Sequence, residues 1–187
     1  MESLIELDKA LLVFLNSLGD ESFDFVWLLI TDKKSSIPLY IFLLIYSYKK
    51  LSTNDFWKCL LIVALLILFG DQISGLFKDY FQRLRPCHDP EINTYIRIVK
   101  KGCGGLYGFF SSHATNTFAL ATFYYMLLRN YSNYFIFLFA WALIVSYSRI
   151  YIGVHFPIDV LFGVCFGILL GYIFSLLPSK KYSNNVR

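Results

Sequence analysis

Charge is what this chain has least of. Charged residues make up 16% of its 187 residues, against about 25% in an average soluble domain. The positive excess is small as well, a formal +4. That suits contact with anionic lipid and is too weak to argue for a nucleic-acid partner. The start of the chain lacks a basic segment. "MESLIELDKALLVFLNSLG" carries Glu2, Glu6 and Asp8 at its head, so it does not read as a cleavable secretory signal. Clustered carboxylates are missing, and so is a convincing His/Cys set, which leaves no metal cofactor to expect. "GCGGLYG" (Gly102 to Gly108) has no Lys-Ser/Thr after it and cannot be a nucleotide-binding P-loop. No internal repeat is present.

What the chain has instead is long apolar runs. It is 57% hydrophobic, with a mean hydropathy of +0.55, and the apolar residues are contiguous rather than striped. A spanning helix takes roughly 20 mostly apolar residues. Four runs qualify, at about 56–78, 112–128, 134–148 and 157–177, and a shorter fifth lies at 37–48. An extension of the fifth through 23–31 is interrupted by "DKKSS", whose Lys33 and Lys34 do not belong at mid-bilayer. The expected fold is an all-α, polytopic transmembrane bundle of five or six spans. Residues 1–187 form one domain. Ile5, Leu7, Leu11, Leu12 and Leu15 add an N-terminal amphipathic helix lying at the membrane surface.

Gly163, Gly167 and Gly171 make a small-residue stripe on the last span, for close packing against another helix of the same chain. One connection is long, polar and glycine-rich: residues 83–112, marked as a functional loop. It contains Cys87 and Cys103. They can close the loop as a disulfide if it lies outside the cytoplasm, or bind metal together with His88. Lys and Arg tie at seven on each side of the spans, so the positive-inside rule does not orient the chain.

Alternating spans bring the ends near Lys78, Ser112, Ser148 and Pro157 to one side. Each carries polar groups. "KDYFQRLRP" places Lys78 and Arg85 seven residues apart, on one face of a helix that Pro86 stops, with Asp71 and Ser74 as tethers for the lysine. "FSSHATN" opens a helix that Ser111 or Ser112 can cap, with His113 in its first turn and free amides to seat an anion. "SRIYIGVHFPID" holds Arg149, His155 and Asp159. A carboxylate four residues from an imidazole can fix its tautomer and leave the other nitrogen free as base or nucleophile. Each cluster alone has an ordinary structural explanation. Together they put three cations on one side without acidic partners, an arrangement that a phosphate would relieve.

The motifs K-x6-RP (Lys78–Pro86), SSH (Ser111–His113) and SR-x5-H-x3-D (Ser148–Asp159) resemble, in order and internal spacing, the three signatures of the type-2 phosphatidic acid phosphatase family. The vanadium haloperoxidases belong to the same superfamily. The middle motif departs: the family's Pro-Ser-Gly-His is Phe110-Ser111-Ser112-His113 here. The resemblance implies a metal-independent membrane lipid phosphatase. It implies His155 as the nucleophile, Asp159 as its orienting carboxylate and His113 as general acid. Lys78, Arg85, Arg149, Ser111 and the Ser112 amide would hold the phosphate.

The implied substrates are undecaprenyl diphosphate, phosphatidylglycerol phosphate, phosphatidic acid or a lipid A phosphate, with a lean to the first. The implied place is the cell (inner) membrane, multi-pass, with the site on its periplasmic or extracellular face. The partners are the lipid phosphate and the surrounding membrane lipids. Two rival readings remain: a lipid phosphotransferase using the same intermediate, and a non-catalytic lipid-phosphate binding or transport protein. Two histidines and a carboxylate are more than binding alone requires.

Overall fold

The structure, a computed structural model, describes residues 2–177. The polar tail that begins at 179 lies outside them. The described residues contain seven α-helices: α1 (Glu2–Ser17), α2 (Asp24–Thr31), α3 (Ile37–Lys50), α4 (Thr53–Phe81), α5 (Ser112–Leu128), α6 (Phe137–Tyr151) and α7 (Pro157–Ser175). There is no strand among them; one isolated β-bridge pairs Leu84 with Tyr107.

Local chemistry sets the helix limits. Ser52 caps α4 by accepting from the Asp55 amide at 3.3 Å, and Asp55 adds its charge to the positive end. The helix stops where Gln82 turns left-handed, at φ 47°. Arg85 therefore lies beyond α4 in an irregular segment. The expected continuous helix from Lys78 to Pro86 does not form. Pro157 starts α7, as suits a residue with no amide to satisfy. Residues 24–31 and 37–50 remain separate helices because residues 33–36 between them form a 3₁₀ turn capped by Asp32.

Three helical stretches are long and apolar enough to cross a bilayer: 53–81, 133–151 and 157–175. At 17 residues α5 is at the short end of a span's range, and α3, at 14, is shorter still. α4 and α7 turn Trp57, Leu61, Leu76, Phe162 and Leu169 outward, the exposure of helices solvated by lipid rather than water.

α5 is the axis of the bundle and is buried along most of its length. Its closest partner is α7, and the glycine stripe is the reason. A Cβ on Gly163 would stand 2.7 Å from the Ser111 carbonyl oxygen. On Gly167 and Gly171 it would strike the carbonyl oxygens of Thr115 and Ala119.

α1 differs from expectation. It does not simply rest on the membrane: Asp8, Leu12 and Asn16, one turn apart, are buried against the protein. The Asn16 amide donates to the carbonyls of Arg97, Ile150 and Tyr151. Ile5, Leu7 and Leu11, from the predicted apolar face, point away from the bundle.

Candidate active site

The ends of α4, α6 and the starts of α5 and α7 converge, and the predicted residues meet there. His155 sits in the five-residue link between α6 and α7 and is only 2% exposed. Its Nδ1 faces Asp159 Oδ2 at 3.5 Å. That leaves Nε2 as the nitrogen available to a ligand. Burial holds the imidazole well below its ordinary pKa, and the charges of Arg149, Arg85 and Lys78 push the same way. Both effects favour the neutral imidazole, the form that carries a free lone pair. Gly108 makes this crowding possible: a Cβ there would lie 3.0 Å from Asp159 Oδ2 and 3.6 Å from His155 Nδ1.

The three cations are held without being neutralised. Lys78 donates to Ser112 Oγ, which also shares a hydrogen bond of 2.6 Å with Ser74. Arg85 reaches the carbonyls of Tyr107 at 3.1 Å and Cys103 at 3.2 Å. Arg149 is buried and donates to Thr31 Oγ1. Among the described residues none of the three has a carboxylate at ion-pair distance. Ser111 Oγ, Arg149 Nε and His155 Nδ1 are buried without a hydrogen-bond partner among those residues. Other buried atoms, Ser47 Oγ and Thr122 Oγ1 among them, are also unpartnered, so it is the gathering of these three at the same helix ends that points to a ligand or a reaction. Ser111 is the N-cap of α5 and offers no side-chain cap, so its hydroxyl stays uncommitted.

His113 is in the first turn of α5, half-buried, in the field of Arg149 and His155. It lines an open cavity of about 370 Å³ together with Thr31, Lys33 and Lys100. Asp71, expected to tether Lys78, accepts instead from Asn116 Nδ2 at 2.8 Å and ties α4 to α5. Ser74 acts on Lys78 only through Ser112.

Cys87 and Cys103 form a disulfide. Their sulfurs and a His88 nitrogen are close enough to suggest a metal site, but sulfurs bonded to each other are not thiolate ligands.

Sequence reasoning missed Arg83 and Asp8. Arg83 donates to Asp159 Oδ1 at 2.7 Å and, with its other terminal nitrogen, to Asp8 Oδ2. Its guanidinium also lies over the Phe156 ring, 4.1 Å from the centroid. The available signal was an acidic residue one turn from Leu12, on the same helix face, where a buried charge needs a partner.

The profile of the PAP2 superfamily matches residues 56–183. A lipid A 4′-phosphatase of Porphyromonas gingivalis is 35% identical over 92% of this chain and 73% of its own length. Its counterpart from Bacteroides thetaiotaomicron is also 35% identical, over 96% of this chain and 80% of its own. Among solved structures, a transmembrane PAP2-type phosphatidylglycerolphosphate phosphatase from Bacillus subtilis superposes with a TM-score of 0.76. It is 20% identical and the match covers 100% of this chain and 90% of that one. LpxE of Aquifex aeolicus gives a TM-score of 0.66 at 24% identity, over 88% and 92% of the two chains.

Proposed function

This chain belongs to the PAP2 superfamily, and on that premise we propose that it is an integral membrane lipid phosphatase that removes the 4′-phosphate of lipid A. The observation that carries the chemistry is one buried neutral imidazole, His155, facing a carboxylate and in the field of three cations that no carboxylate neutralises. The names of the two 35% identical relatives favour lipid A. They move the substrate away from undecaprenyl diphosphate, to which the motif resemblance leans.

The mechanism follows from the geometry. Asp159 faces Nδ1, so Nε2 attacks phosphorus. The Nε2–P bond forms as the P–O bond to the lipid breaks, and His113 gives the leaving oxygen its proton. Lys78, Arg85 and Arg149 hold the charge on the equatorial oxygens, the task that metal ions perform in other phosphatases. Ser111 Oγ and the Ser112 amide complete the cradle. Water returned through His113 then cleaves the phosphohistidine. The cavity beside His113 would take the leaving group, and its two lysines, Lys33 and Lys100, against one acid, Asp32, suit an anionic headgroup.

α3 to α7 form the bilayer-embedded bundle in this reading, five spans with α5 shielded from lipid by its neighbours. The disulfide in the site loop supports a periplasmic or extracellular face, since thiols stay reduced in the cytosol.

The test is phosphate release in detergent from lipid A, undecaprenyl diphosphate, phosphatidylglycerol phosphate and phosphatidic acid. Lipid A is expected to be fastest, with loss of its 4′-phosphate. Release should persist in EDTA, stop with vanadate and vanish in a folded His155→Ala variant. A faster rate on another lipid overturns the substrate. EDTA loss restored by added metal overturns the mechanism.

A further inference from the structure

The residues that hold Asp159 are not confined to the three motifs. Its Oδ2 accepts from the Phe156 amide at 3.0 Å and faces His155, while its Oδ1 is taken by Arg83. Arg83 is itself spanned between two carboxylates whose side chains are wholly buried, those of Asp159 and Asp8. Asp8 has a second duty. Its Oδ1 accepts from the Ile158 amide at 2.9 Å. Phe156, the N-cap of α7, has no side-chain acceptor, so Asp159 and Asp8 between them satisfy the helix start. Asp8 comes from α1, and the superfamily profile begins only at residue 56.

We propose that α1 is part of the catalytic apparatus: Asp8, acting through Arg83, positions Asp159 and thereby orients His155. This rests on the reading of His155 as the nucleophile. The charge arithmetic explains why a simple clasp would not suffice. Asp8, Arg83 and Asp159 together carry one negative charge, which faces the imidazole. Without Asp8, Arg83 would cancel Asp159 and leave no net negative charge beside the imidazole. With Asp8, one terminal nitrogen of the planar fork is committed to each carboxylate, so the guanidinium cannot rotate and Asp159 Oδ2 stays aimed at Nδ1. Asp8 is thus a positioning residue. It also makes the docking of α1 a condition for activity.

The discriminating variant is Asp8→Asn. Its amide oxygen can still accept from Ile158 and keep the helix start, while the group facing Arg83 becomes an NH2 that carries no charge and cannot accept from the guanidinium. On the wild-type substrate, kcat is expected to fall about tenfold to a hundredfold, the cost of a misaimed catalytic group. KM should stay within about twofold, because Asp8 holds no phosphate, and the melting temperature in detergent should be little changed. Asp8→Asn on an Arg83→Gln background should cost nothing further, since the charge it balances is gone. Arg83→Lys keeps the charge but lacks the planar fork that fixes the two carboxylates relative to each other. It should lose kcat alike, and it provides the measurement if Asp8→Asn does not fold.

Unchanged kcat in folded Asp8→Asn or Arg83→Lys overturns the proposal. So do losses that add independently in the double variant, or a lower melting temperature with kcat per folded molecule intact. Failure of the wild-type chain to release phosphate from any lipid would instead overturn the functional reading beneath it.

Discussion

A histidine that is buried and neutral has a cost that appears in stability as well as in rate. His155 is held well below the ordinary imidazole range by burial and by nearby cations. As pH falls below about 6.5, the unfolded chain takes up a proton at this residue and the folded chain does not. Its contribution to folding is therefore lost as pH drops. The apparent melting temperature in detergent should fall from pH 7 to pH 5, and His155→Gln should flatten that fall. A variant as acid-sensitive as wild type would mean that His155 is charged when folded. At the same scale, Ser111 Oγ and Arg149 Nε are buried without partners among the described residues, which the proposed phosphate would supply. Nothing in the amino-acid string says that they are unpartnered.

Helix contacts govern the next scale. α5 and α7 approach through Gly163, Gly167 and Gly171, and the same contact places Ser111 beside the start of α7, where its amide donates to the Asp159 carbonyl at 3.0 Å. Gly167→Ala should lower stability by about 1–3 kcal/mol, the usual effect of overpacking, and lower activity with it. Gly75→Ala provides the contrast, because a Cβ there meets nothing within 4 Å. Its melting temperature should be unchanged or slightly raised. Equal destabilisation by both would refute the packing argument. The stripe was legible from its spacing alone. Which helix it meets was not, because a one-dimensional pattern shows a face but not its partner.

For the whole molecule, the long loop and the bundle act together. Closing the loop with a disulfide of sequence separation 16 is worth about 3 kcal/mol by loop entropy. The loop also brings the Cys103 carbonyl to Arg85. Reduction, or Cys103→Ser, should therefore raise KM more than it lowers kcat, as a phosphate ligand loses its support. Thiol labelling in intact cells, after a reductant that does not cross the membrane, should reach Cys87 and Cys103. Labelling only after permeabilisation would place the loop in the cytoplasm.

The sequence by itself determined the solvent and the chemistry. Contiguous apolar runs can be satisfied only by lipid or a deep core, and the boundaries of α5 emerged directly from their pattern. Three cations, two histidines and a carboxylate at fixed spacings restrict what ligand can be held, because such spacings are local and survive without knowledge of packing. Only the tertiary structure decided how the pieces support one another. Arg85 left the helix because Gln82 ends α4 in a left-handed turn. Lys78 found Ser112 rather than Asp71. Asp8, 151 positions before Asp159 in the chain, joined it through Arg83. A charge buried in a bundle must find its counter-charge in space, and that partner is set by which helix faces meet.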